Sequence, residues 1–301
     1  MTALALDIGA TKFAAATVGS DYRPHGVRQV AAGTADPWAA CRDLLLAVAG
    51  DNRVRAVGIG SAGPVDVRAG VVAPLNLGPW RAGFAIVEHV RTLFPDAVVR
   101  LAIDGACLVL AEHRVGGLRG VDNGLALTVS SGVGGGMIAD GRVVVGRTGN
   151  AGHIGHMVVS GDDTACPCGG FGCVEAVASG MSAVRWARSR GWAGVDGVEL
   201  AAAAHAGDPV AVAALARAGT ALGQGISSAA ALLDVDRVVI SGGFAQSGEP
   251  LWGPLRAAVA RHSGLSFIRE LEVELSTLSD GATLVGAGVL AIEAVAQGSS
   301  R

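Results

Sequence analysis

Four side chains in one short stretch are of the types that bind a soft divalent metal. His156, Cys166, Cys168 and Cys173 all lie in the glycine-punctuated segment 149–180. Thiolate sulfur and imidazole nitrogen are the usual tetrahedral ligands of Zn²⁺. A C-x-C-x4-C cluster preceded by a histidine therefore supplies a complete Cys₃His set. Three of the five cysteines fall here, and clustering of that kind outside a disulfide scaffold favours metal binding or catalysis. Three ordinary buried or free thiols are the alternative. A second histidine, His153, sits one turn before the first ligand.

Phosphate chemistry has its own candidates. Asp7-Ile8-Gly9-Ala10-Thr11-Lys12 lies between two apolar runs. It reads as a hairpin turn whose amides and Thr hydroxyl can face a phosphate, with Asp7 near a divalent cation. Plain turn chemistry is the competing reading of the same residues. Ser130-Ser131-Gly132-Val133-Gly134-Gly135-Gly136 is a second glycine-rich turn after an apolar run. Two such turns suit a nucleotide triphosphate held between two lobes. Asp104 closes the run 97–103 and opens a helical stretch. It is either an N-cap or a general base at the carboxyl end of a strand, where α/β folds bind ligands.

The elements that must position these groups follow from periodicity and punctuation. Strands are expected at 4–6, 13–18, 27–32, 54–59, 97–103, 124–129, 137–139, 237–240 and 271–275. Helices are expected at 36–50, 83–93, 105–113, 180–189, 197–205, 209–233, 250–263 and 282–297. The alternation predicts an α/β protein of two lobes with mixed sheets. The first lobe is expected to span 1–115. The second is expected to span 116–282, carrying the metal loop 149–180, with a final helix 283–301 packing back on the first.

Composition limits the classes of function. The chain has 301 residues, half of them hydrophobic and 16% charged, with 46 glycines. Such a chain buries a large core and is not disordered. No apolar run reaches the roughly 20 residues of a membrane span, so no membrane association is expected. The net charge of −3 and the lack of a basic stripe argue against nucleic acid. The start MTALALDIGATK has no charged segment followed by a long apolar one, so no secretory leader is expected. Clustered cysteines fit a reducing cytoplasm.

Taken together and in order, these motifs resemble the ROK (repressor, open reading frame, kinase) family of the sugar kinase, heat-shock chaperone and actin superfamily. The D-x-G-x-T hairpin is matched by Asp7, Gly9 and Thr11, and a sugar-side turn by residues 60–66. An Asn-containing loop before a Trp is matched by Asn76 and Trp80. The catalytic Asp of N-D-A-N is matched by Asp104, the second phosphate loop by 131–136, and the zinc segment by 152–156 and 166–175. The resemblance implies a two-lobed actin/hexokinase-like (ribonuclease H-like) ATPase fold with a zinc-binding loop. It implies transfer of the γ-phosphoryl group of ATP, with Mg²⁺, to a hydroxyl of a sugar-like acceptor. Asp104 would be the general base. Asp7, Gly9, Thr11, Lys12, Ser131, Gly132, Gly134, Gly242 and Gly243 would face ATP. Gly63, Asn76, Ile103, His153, His156 and Glu175 would line the acceptor site, and the zinc would be structural. The residues around Asp280 resemble the family's start of its last helix, near the nucleotide base. A homodimer is expected by the same resemblance.

Three positions depart from the family pattern. Ile103 and Ala106 stand where N-D-A-N has its two asparagines, and His153 stands where G-E-x-G-H has its glutamate. Replacing Asn by Ile removes a donor and an acceptor, which redirects selection among acceptors. Hexoses, amino sugars and carbocyclic sugar mimics are all open. Two other classes remain beside the kinase: a catalytically inactive sugar-binding member, and a sugar-sensing regulator. The second would carry a DNA-binding domain ahead of the first hairpin, which begins here at Leu4.

Overall fold

The computed structural model describes residues 2–9, 11–159, 161–278 and 281–298, without the side chains of 297 and 298. In chain order the first elements are β1 (Thr2–Ile8), β2 (Lys12–Val18), β3 (Pro24–Ala31), α1 (Pro37–Ala49) and β4 (Val54–Ser61). The short pair β5 (Val65–Asp66) and β6 (Val71–Val72) follows, then α2 (Ile86–Leu93), β7 (Val98–Ile103) and α3 (Asp104–Val115). Next come β8 (Gly124–Val129), β9 (Val133–Ala139), β10 (Arg142–Val143), α4 (Val174–Ala178), α5 (Gly180–Arg188), α6 (Gly197–His205) and α7 (Pro209–Leu233). The chain continues through β11 (Arg237–Ser241), α8 (Glu249–His262), β12 (Glu272–Leu275) and α9 (Ala282–Gly298).

Two compact units result. The first holds residues 1–119, 143–152 and 278–301, and the second 120–142 and 153–277. The chain crosses four residues later than the expected break after 115. Residues 143–152, expected in the second lobe, cluster with the first. The reason is local. Asn150 accepts from the Val65 amide (2.9 Å) and donates to the Val65 carbonyl (2.6 Å), and Val67 donates to the Thr148 carbonyl (3.2 Å). The stretch ahead of the metal loop is thereby stitched to β5.

The first unit's sheet runs β3-β2-β1-β4-β7. β1, β2 and β3 are antiparallel neighbours, whereas β1–β4 and β4–β7 are parallel. β1 and β4 are almost wholly buried and mostly apolar or small, as strands covered on both faces are. α9 lies on β1, β4 and β7 and against α3. Its approach needs glycine: a Cβ on Gly58 would sit 1.8 Å from the Ala287 carbonyl oxygen, and one on Gly286 1.8 Å from that of Cys107.

The second unit repeats the plan, with order β10-β9-β8-β11-β12. β8 and β9 form an antiparallel hairpin, and β8, β11 and β12 are parallel. α7 forms the apolar spine of this unit with α8, α6, α5 and α4 around it. Asp208 caps α7 through the Val210 and Ala211 amides. Among the described residues no single helix is long and apolar enough to cross a membrane.

Candidate active site and metal centre

In the first unit the chemistry-bearing residues gather at the carboxyl ends of the parallel strands. Asp7 lies near the end of β1, paired with Ala14 on one side and Gly60 on the other. Asp104 follows β7 directly as the first residue of α3. The capping position belongs to Ile103, with extended backbone (φ −69°, ψ 151°). The Asp104 carboxylate instead accepts from the adjacent Gly105 amide at 2.7 Å. Burial, and next the negative charge of Asp104, lift the pKa of Asp7 to about 7, with Lys12 opposing. One helical turn on, Cys107 is fully buried, and burial with both acids raises its thiol pKa well above the ordinary value. Gly60 leaves room for this thiol: a Cβ there would meet Cys107 Sγ at 3.0 Å and Thr283 Cγ2 at 2.9 Å.

Gly9 closes the first turn by donating to the Lys12 carbonyl (3.1 Å). Thr11 and Lys12 are exposed beside it, and Ala10 lies outside the described residues, as does Asp280. The Gly63 carbonyl accepts from Leu75 (3.4 Å), and that of Pro64 from Ala73 (2.9 Å). Asn76 is exposed on the loop so formed. The loop is anchored by Trp80, whose ring stacks on Phe84 (4.4 Å) and Phe13 (6.3 Å). Arg81 braces it by donating to the Leu75 carbonyl (2.6 Å). Ile103 and Ala106 sit in the apolar core, 3% and 2% exposed. The structure therefore packs Ile103 as a core residue and does not display it as a contact surface.

In the second unit the 130–132 turn leaves β8 and re-enters β9. Ser130 donates to the Gly132 carbonyl (2.9 Å) and accepts from the Gly180 amide (2.8 Å). Gly134 continues into β9 opposite Thr128. Gly242, after β11, has φ +101°, and a Cβ there would lie 2.5 Å from the Val129 carbonyl oxygen. Glycine alone permits that approach. The turn ending β8 and the turn ending β11 are thus adjacent, and Ser131 and Gly243 line one cavity.

His156, Cys166, Cys168 and Cys173 each offer one ligand atom, and these atoms all lie within 4.8 Å of one another. Cys168 Sγ and Cys173 Sγ are 3.8 Å apart, as are His156 Nδ1 and Cys166 Sγ. For metal–sulfur bonds of about 2.3 Å, a tetrahedron has sulfur–sulfur edges of about 3.8 Å, so the donor set fits zinc. The loop is shaped by its own backbone. Cys166 donates to Gly170 and Gly172 to Thr164, while Val159 and Val174 lock the base through Gly172 and Met157. Gly169 and Gly172 have positive φ, and a Cβ on Gly172 would meet the Asp162 carbonyl oxygen at 2.3 Å. Arg217 of α7 ties the loop down, reaching Asp162 Oδ2 (2.5 Å), Thr164 Oγ1 (3.0 Å) and the Val177 carbonyl (3.1 Å). Burial pushes the Cys173 thiol up to about 12 and also raises Cys166, whereas the Gly170 amide lowers Cys168. A divalent cation bound by these residues would supply the charge that lets all three be thiolates.

His153 is exposed, and its ring stacks on that of His156 at 5.8 Å. Glu175 lies two residues beyond the last cysteine. One of its oxygens, Oε2, accepts from the Val133 amide at 2.9 Å, so the side chain meets the glycine-rich turn.

A cavity of about 600 Å³ opens beside that turn. Ser130, Ser131 and Gly243 line it, together with Met181, Val184 and Val198. The last three were not legible as site residues. In sequence they are ordinary apolar helix positions, and only the shared glycines at 180, 197 and 243 hinted that several element starts converge.

The fold is that of a two-unit α/β protein with a hairpin-led sheet in each unit and a Cys₃His loop in the second. The ROK family profile matches residues 3–294, and the chain belongs to the ROK family. It is 31% identical to a glucokinase of Thermotoga maritima over 97% of this chain and 98% of that protein. It is 33% identical to an N-acetylmannosamine kinase of Yersinia pseudotuberculosis, over 96% and 97% of the two chains. Among solved structures, a ROK family glucokinase from Streptomyces griseus in complex with glucose and AMPPNP superposes with a TM-score of 0.84. That match has 30% identity and covers 97% of this chain and all of the other. The mixed-sheet, actin/hexokinase-like architecture agrees with the expectation drawn from the motifs.

Proposed function

We propose that this chain is an ATP-dependent carbohydrate kinase that phosphorylates a primary, 6-OH-like hydroxyl of a hexose, amino sugar or sugar-like cyclitol. The observation that carries the reading is the placement of Asp104 at the carboxyl end of β7, within electrostatic reach of Asp7. Asp104 accepts the acceptor's hydroxyl proton as the oxygen attacks phosphorus. Asp7 is the residue that would hold Mg²⁺, which when bound neutralises charge on the phosphates. Thr11, Lys12 and the glycine-rich turns orient those phosphates through amides, a hydroxyl and a charge. The cavity lined by Met181, Val184 and Val198 receives the adenosine end.

The Cys₃His set binds a structural zinc, because four protein ligands leave no open position for chemistry. Asn76, His153 and Glu175 contact the acceptor, and His153, in place of the family's glutamate, selects it. Homodimer formation and a cytoplasmic location complete the reading.

A sugar-binding member without turnover is the second reading, favoured by the burial of Ile103 and Ala106 where hydrogen-bonding side chains are expected. ADP release measured across hexoses, N-acylated and amino hexoses and seven-carbon cyclitols separates the two. At least one acceptor is expected to raise turnover well above the background ATPase rate. Background rates throughout would leave the second reading.

A further inference from the structure

The two segments that carry the metal ligands also grip one residue of the glycine-rich turn. Val133 ends that turn and begins β9. Its amide donates to Glu175 Oε2 (2.9 Å), and Glu175 follows Cys173 by two residues on α4. From the other direction comes the turn Ile154–His156. A Cβ on Gly155, next to the ligand His156, would lie 2.0 Å from the Val133 carbonyl oxygen. Glu175 also lies close to the turn, since a Cβ on Gly132 would meet its Oε2 at 2.6 Å. The Val133 amide is therefore bonded by a near neighbour of Cys173, and its carbonyl is closely packed by the neighbour of His156.

From this geometry we infer that Glu175 is a positioning residue for the nucleotide phosphates. It fixes the 130–133 turn through the Val133 amide, and thereby couples the metal loop to donor binding. The inference rests on the donor reading of the second unit and goes beyond the role of Glu175 toward the acceptor. Val133 stands opposite Val129 at the closing pair of the hairpin, and its amide is directed at the Glu175 carboxylate. Without the carboxylate it loses its acceptor in a half-buried turn, and such a group is costly to leave unsatisfied. The turn then relaxes, and amides that face phosphate lose their preset direction.

The test uses the full-length, zinc-loaded protein and measures AMPPNP binding by calorimetry without acceptor. Hydrogen exchange across residues 130–136 is followed in parallel. Glu175→Ala is expected to weaken AMPPNP about tenfold and to speed exchange of the Val133 amide. Glu175→Gln, whose amide oxygen can accept the same bond, is expected to bind AMPPNP within about twofold of wild type. Its acceptor KM is free to rise, because the charge is lost. Wild-type protein stripped of zinc is expected to show the same loosened exchange at 130–136. Unchanged AMPPNP affinity and unchanged exchange in Glu175→Ala, with only the acceptor KM raised, would overturn the inference and leave the kinase reading intact. Wild-type protein that binds no AMPPNP would overturn both. Circular dichroism and zinc content matching wild type distinguish a local effect from loss of fold; if Glu175→Ala does not fold, zinc-stripped wild type with unchanged exchange at 130–136 and unchanged AMPPNP affinity would overturn the inference.

Discussion

The negative charge of Asp104 bears on Asp7: after burial it is the largest influence raising the Asp7 pKa, and together they bring it to about 7. The shift has a definite sign for stability. The folded-state value lies above the ordinary value of 3.8 for an aspartate, so folding favours the protonated acid. The contribution is complete below about pH 4 and disappears as pH rises through about 7. In the absence of divalent cations, stability should therefore fall between those limits, by at most a few kcal/mol from this group. Asp7→Asn should flatten the profile and be the more stable protein at pH 8. Chemical denaturation across pH 4–8, with chelator present, measures both.

Asp104→Asn tests the base directly. The side chain keeps its shape and its oxygen can still accept from Gly105, but it no longer takes a proton. kcat should fall by roughly 10²–10⁴, the usual contribution of general base catalysis, while AMPPNP affinity stays near wild type. Single-turnover and calorimetric measurements give the two values. Undiminished turnover would remove Asp104 from the chemistry.

The metal loop should carry about one zinc per chain by atomic emission analysis. Cys173→Ser removes a buried donor, and prolonged chelation removes the ion. Either should lower Tm if bound zinc orders the loop, because ligand bonds would then add to its backbone hydrogen bonds. A protein that is metal-free, fully folded and active would overturn the structural role.

The cavity of the second unit allows a test independent of both acids. Ala201 lines it on α6. Ala201→Trp should fill much of the space and raise the ATP KM at least about tenfold, leaving the acceptor KM close to wild type. Steady-state kinetics with each substrate varied in turn shows which KM moves.

The parts legible in sequence are those whose side-chain chemistry is local. The β1–β2 hairpin, the strand that ends at Asp104 and the Cys₃His spacing are each written within a short stretch. The rest depends on contacts that distance in sequence conceals. Residues 143–152 belong with the first unit because Asn150 bonds Val65. Helix α4 inside the metal loop is too short to show a period. Met181, Val184 and Val198 line a cavity from positions that sequence cannot tell from core-facing ones. Ile103 marks the opposite case: motif comparison draws attention to it, and packing explains it as a core residue.

That contrast sets the last prediction, on acceptor choice. His153 and Ile103 both depart from the family pattern, but they stand in different environments. Ile103→Asn places an amide in a core position that is 3% exposed. It loses apolar burial and needs new hydrogen bonds, so it should cost about 2–4 kcal/mol of stability. His153 is exposed, and His153→Glu should leave Tm nearly unchanged. If His153 selects the acceptor, His153→Glu alone should shift kcat/KM toward glucose relative to the best acceptor of the wild type. A site built to pair a substrate hydroxyl can discriminate strongly against one that leaves it unpaired. A ratio that changes in Ile103→Asn but not in His153→Glu would assign selectivity to the core beneath Asp104. Competition assays with paired acceptors, run beside thermal unfolding of both variants, separate the alternatives.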